Sequence, residues 1–149
     1  MGLADRDRAL IPEGRRKLKE VIRLAAAAGV SPGLILTSPY RRAVETAHVA
    51  REILGHGQEL VTVAALVPGG DPEEVWTDIR ALREEQLLLV SHEPLCGRLL
   101  GYLLGQPGLD VDFKKGAMAR VDLLHTGSAP RGVLQWMLTA KIAEAVRGR

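Results

Sequence analysis

An α/β domain with a mostly parallel sheet and an antiparallel C-terminal hairpin is the fold class that this sequence predicts. Three observations carry it. Short apolar runs such as "LILTS" and "QLLLVS" alternate with longer stretches of helical spacing, as strand–helix–strand units require. Pro, Asp and Gly punctuate the boundaries between them, where helices start and stop. Near the end the alternation gives way to two runs of strand character around one turn, the mark of a hairpin. No repeat, linker or low-complexity segment divides residues 1–149, a length that suits one domain with a sizeable core.

Pro12, Glu13 and Gly14 open the first helix, in which Leu18, Val21, Ile22 and Ala25 recur at helical spacing before Gly29 ends it. "LILTS" (34–38) is a buried strand, bounded by Pro-Gly before and Pro39 after. "PYRRAVETAHVAREIL" is the second helix, with Ser38 as N-cap and Pro39 at its first position. "ELVTVAAL" reads as the next strand. Asp71 then caps a helix that Pro72 begins, with Glu73 and Glu74 where the macrodipole favours anions and Val75, Ile79 and Leu82 turned inward. "QLLLVS" is a continuous apolar strand, expected to be covered on both faces. "PLCGRLLGYLLG" is helical, and its "GRLLG" glycines predict close packing. "AMARVDLLH" and "VLQWMLT" form the hairpin, and a terminal helix starts near Lys141.

Composition narrows the function. Apolar residues make up 46%, which excludes a disordered chain, and aromatics only 3%, so Leu, Val, Ala and Ile must build the core. A net charge of +2, spread along helices, argues against a nucleic-acid partner, and the aromatics that stack bases are scarce. Cys96, the one cysteine, cannot form an internal disulfide and reads as a buried apolar helix residue. That fits a reducing cytoplasm. No apolar run nears the roughly 18 residues that span a bilayer. Nor does "MGLADRDRAL" hold an apolar leader segment, so no membrane is expected.

Chemistry is expected at the carboxyl ends of the strands, where folds of this class bind ligands. Two strand exits have the same form. "ILTSPYRR" puts Arg42 in the first turn of its helix, and "LLVSHEP" puts His92 just before the next. A helix start with a nearby arginine favours an anion, phosphate above all. An imidazole that titrates near neutrality can donate to or accept from a phosphate oxygen. Arg41 reads as the solvated member of its pair. His48 lies six positions after Arg42, about 240° around the helix, and cannot share its face. His56 follows the far end of that helix and His125 falls at the hairpin turn; all three are read as structural or surface residues. No Cys/His cluster has zinc spacing and no GxxxxGK[ST] loop is present, so neither metal nor cofactor is expected.

"LILTSPYRRAVETAHVAREI", "VPGGDPEEV", "LLLVSHEPLCGRLLGYLLG" and "KKGAMARVDL" together resemble the bacterial phosphohistidine phosphatases of the histidine phosphatase superfamily, small relatives of the phosphoglycerate mutases. "ADRDRALIPEGRRKL" is similar to the family's segment just after its first catalytic loop. The resemblance implies a three-layer, phosphoglycerate mutase-like fold. It also implies hydrolysis of a protein phosphohistidine through a covalent phosphohistidine intermediate. Two arginines and two histidines form the family's phosphate pocket; by motif, Arg42 matches the second arginine and His92 the second histidine. The partners implied are a phosphohistidine-bearing protein and phosphate or another small oxyanion.

The family carries its nucleophile in an Arg-His-Gly motif at the end of a first strand inside the sheet. That motif does not occur in this sequence. The expectation is therefore a chain truncated at its N-terminus, with the nucleophile in the missing segment. The alternative is an inactive phosphate-binding or scaffolding relative. No inserted lid lies between Leu66 and Asp71, and no glutamate there could protonate an alcohol leaving group. An easily protonated leaving nitrogen needs less such help, which favours a protein phosphohistidine over a sugar phosphate.

Overall fold

The computed structural model describes residues 2–55, 57 and 59–147. The chain runs through a 3-10 turn (Asp5–Asp7), α1 (Pro12–Ala27), β1 (Leu34–Thr37), α2 (Arg41–Leu54) and β2 (Val61–Thr62). A second 3-10 turn (Ala64–Leu66), α3 (Pro72–Ile79), β3 (Leu87–Val90) and α4 (Leu95–Leu103) follow. β4 (Met118–His125), β5 (Arg131–Leu138) and α5 (Ala140–Arg147) complete it.

β1 lies between β2 and β3, parallel to both. Because successive strand residues face opposite sides, β1 feeds two cores. Ile35 packs with Leu18 and Ile22 of α1 and Ala43, Ala47 and Ala50 of α2. Leu36, one residue on, packs with Val75, Trp76 and Ile79 of α3 and Leu95 and Leu99 of α4. The result is a three-layer α/β arrangement, as expected. In α1 the buried residues are Leu18, Val21, Ile22 and Ala25, the stripe that the spacing predicts. α5 returns to α1, where Arg16 meets Glu144 at 2.9 Å and Arg147 meets Glu20 at 3.1 Å.

Asp71 caps α3 by accepting the Glu73 N–H at 2.9 Å. The glycines of α4 pack closely too: a Cβ on Gly101 would lie 2.8 Å from the Gln106 carbonyl oxygen, and one on Gly97 would lie 3.1 Å from that of Val111. Gly29, past the end of α1, has φ +92°, a conformation that favours glycine.

The structure corrects three expectations. "ELVTVAAL" is a strand only at Val61–Thr62 and then turns 3-10, because β2 borders β1 for two residue pairs only. α2 starts at Arg41 after Tyr40, with no side-chain cap; Ser38 is buried instead. Leu82 lies past the end of α3 and is exposed. β3 is packed on both faces as expected, Leu88 and Val90 against one core and Leu87 and Leu89 against the other, with Leu87, Leu88 and Leu89 half-buried. Its edge away from β1 pairs with no described strand, since β4 and β5 form a separate antiparallel sheet. Trp76 Nε1 donates to the Gly127 carbonyl at 3.0 Å and anchors that hairpin's turn.

Candidate active site

Thr37 pairs with Val90 across the parallel ladder, so β1 and β3 end side by side. The Ser38 N–H donates to the Val90 carbonyl at 3.0 Å, which extends the ladder to the first residue past β1. His92, two residues beyond β3, turns back over this edge, and its Nε2 lies 2.8 Å from Ser38 Oγ. Ser38 is fully buried and His92 is 8% exposed. The exit of β3 is pinned on both sides. Ser91 Oγ donates to the Leu66 carbonyl at 2.6 Å, and the His92 carbonyl accepts from Cys96 N–H at 2.8 Å, in the first turn of α4. Glu93 is spent on its helix, accepting the Gly97 N–H at 2.6 Å.

Tyr40 links the two exits. Its N–H donates to Ser38 Oγ at 3.2 Å, and its ring centroid lies 5.1 Å from that of His92. Arg42 places its guanidinium 5.5 Å from the same ring centroid, within cation–π range. Arg42 is also gripped from outside. Its Nη1 donates to the Asp5 carbonyl and to Oδ1, both at 2.9 Å, and its Nη2 donates to Oδ2 at 3.2 Å. Those three bonds use one end of the fork. The side edge, Nε–H with the second Nη2–H, has no partner among the described residues.

The imidazole does not titrate near neutrality, contrary to the sequence reading. Burial, then the positive charge of Arg42, push the His92 pKa down to about 4, with Asp5 opposing. His92 is therefore neutral at physiological pH. A neutral imidazole and a guanidinium with one open edge can together hold an oxyanion. Burial and Glu93 push the Cys96 thiol up to about 12, so it stays protonated and inert.

The remaining candidates fall where the sequence puts them, or outside view. Arg41 is exposed, 3.9 Å from Glu45. His48 is exposed and faces Arg51 at 3.1 Å. His125 is exposed in the hairpin, and His56 lies outside the described residues. Among the described residues, no three His, Cys, Asp or Glu side chains gather to hold a metal, and no helix is long and apolar enough to cross a membrane. A cavity of about 510 Å³ opens beside α3, lined by Asp71, Glu73, Glu74 and Asp78 among others; its acidic wall would repel a phosphate. Sequence reasoning missed Ser38, Tyr40 and Asp5. A Ser-Pro pair at a strand end signals a helix cap rather than a binding group.

No family model matches the sequence, and no curated protein does. Solved structures do. The protein histidine phosphatase SixA, in complex with tungstate, is 25% identical with a TM-score of 0.85, covering 95% of this chain and 90% of that one. The SixA protein of Agrobacterium tumefaciens is 23% identical with a TM-score of 0.76, covering 93% and 87%. That of Nakamurella multipartitia is 18% identical with a TM-score of 0.75, covering 93% and 88%. The resemblance read from the sequence motifs thus extends to the fold along nearly the whole chain.

Proposed function

We propose that this chain is a phosphatase acting on protein phosphohistidine, with Arg42 and His92 holding the phosphoryl oxygens. One observation carries the reading: the exits of two adjacent parallel strands meet through His92 and Ser38, with Arg42 across the Tyr40 ring, in a fold shared with a tungstate-bound protein histidine phosphatase. Tungstate is a tetrahedral oxyanion, as phosphate is. The substrate is then a phosphohistidine-bearing protein, and residues 1–149 act as one domain without metal or cofactor.

The reaction also needs a nucleophile; the protonated Cys96 thiol is a poor one, and this reading gives His92 to the phosphoryl oxygens. The reading assigns that role to a histidine in an Arg-His-Gly motif at the end of a further strand. The open edge of β3, with Leu87, Leu88 and Leu89 half-buried, supports a strand pairing there. Its histidine nitrogen would attack phosphorus as the P–N bond to the substrate imidazole breaks and that imidazole takes up a proton. Water would then release phosphate from the enzyme histidine. Arg42 and His92 would stabilise the charge that spreads over the equatorial oxygens.

The test is hydrolysis of a phosphohistidine peptide. The sequence of residues 1–149 alone is expected to show little or no turnover. The same sequence preceded by a strand ending in Arg-His-Gly is expected to turn over, and His92→Ala in that extended protein should remove most of the activity. Brisk hydrolysis by residues 1–149 alone would contradict the assignment of the nucleophile. Oxyanion binding without hydrolysis in the extended protein would favour a non-catalytic phosphate-binding role.

A further inference from the structure

Ser38 is fully buried, so its hydroxyl proton needs an acceptor inside the protein. Its Oγ already accepts the Tyr40 N–H at 3.2 Å. The neighbouring backbone groups are taken: the Ser38 N–H donates to Val90, and the Ser38 carbonyl accepts from Thr37 Oγ1 at 3.0 Å. Among the described residues one acceptor is bonded to the Ser38 hydroxyl, His92 Nε2 at 2.8 Å. Were Nε2 protonated, Ser38 Oγ would receive two donors and its own hydrogen would be left buried without a partner.

We infer that Ser38 donates its O–H to His92 Nε2 and so holds the imidazole in the Nδ1–H tautomer, which makes Ser38 a positioning residue for His92. The inference rests on the proposed reading of the site and deepens it. Nδ1 has no partner among the described residues, and as an N–H it is the group left to meet an oxyanion. The lowered pKa agrees, because a buried imidazole beside Arg42 resists the second proton that would make both nitrogens donors. One consequence is chemical. With the Nε2 lone pair bonded to Ser38 and Nδ1 protonated, His92 has no free lone pair. It can hold a phosphoryl oxygen but, at neutral pH, can neither attack phosphorus nor act as a general base.

The ring nitrogens can be read directly by long-range ¹H–¹⁵N spectra of the ¹⁵N-labelled chain at pH 7, with His92 assigned by its loss in His92→Gln. The expected signature is a pyrrole-like Nδ1 and a pyridine-like Nε2. The opposite tautomer, or an imidazolium, overturns the inference. In Ser38→Ala, both tautomers should be populated and tungstate should bind about fivefold more weakly, the loss expected for one neutral hydrogen bond. Wild-type tautomer and affinity in Ser38→Ala would overturn it as well. If His92→Gln weakens tungstate binding but Ser38→Ala does not, the role of Ser38 fails and the site stands. If His92→Gln leaves binding unchanged, the site reading fails, while the wild-type spectrum still decides the tautomer.

Discussion

His92 sits at the junction of two demands, burial and proximity to a cation, and both favour its neutral form. Its folded pKa of about 4 lies below the unfolded value of 6.5, so between these values the unfolded chain binds more protons than the folded one. The stability gained by keeping His92 neutral is whole above about pH 6.5 and is lost as the pH falls toward 4. Urea unfolding at pH 7.5 and at pH 4.5 measures this. The wild-type protein should lose about 2 kcal/mol more over that interval than His92→Asn, given about 1.4 kcal/mol per pKa unit. Equal losses would mean that His92 ionises as freely folded as unfolded. Residue types and spacing made Arg42 and His92 legible in the sequence. Ser38 was legible as a residue but not as a partner, because Ser-Pro after a strand signals a helix cap, and only the neighbouring strand's register brings His92 onto its hydroxyl. Asp5 had no signal at all, since its contact with Arg42 spans 37 positions.

Elements were easiest to read where local chemistry and packing agree. α1 and α3 carry both an apolar stripe and start signals; α1 forms over the residues that the pattern marks, and α3 starts where it should but stops at Ile79, short of Leu82. β2 shows the opposite case. Its apolar stretch has strand character, but a strand exists only as far as a neighbour pairs with it, and β1 offers two residues. α4 shows how a glycine signal becomes a contact. Alanine at Gly101 would gain helix propensity but would press its Cβ toward the Gln106 carbonyl, 2.8 Å away in the present backbone. Gly101→Ala should therefore destabilise the protein by about 1–3 kcal/mol, seen as a lower thermal midpoint; a neutral or raised midpoint would show that residues 106–109 can yield. Removing the α3 cap with Asp71→Ala should cost about 1 kcal/mol in the same measurement, and no loss would mean that water serves the Glu73 N–H equally well.

Taken as a whole, the described residues form two sheets, one parallel and one antiparallel. β1 feeds cores on both its faces, whereas β3 has one described neighbour and the β4–β5 hairpin stands apart. The apolar run "QLLLVS" predicts a strand covered on both faces, and its side chains do pack against both cores; it is the edge away from β1 that has no described partner. If a strand pairs along that edge, hydrogen exchange at the amides of Leu87–Val90 that face away from β1 should slow by orders of magnitude in the extended protein, while those bonded to β1 change little. Unchanged exchange on that edge would place the added strand elsewhere.

Tungstate titration by calorimetry, on wild type, Arg42→Gln, His92→Ala and the double variant, bears most directly on whether the two strand exits serve a single anion. Loss of the charged donor should weaken binding about tenfold or more, loss of the imidazole should weaken it less, and the two losses should fall short of adding, as groups on a shared ligand do. Affinity unchanged by either substitution, or two losses that add in full, would contradict the account.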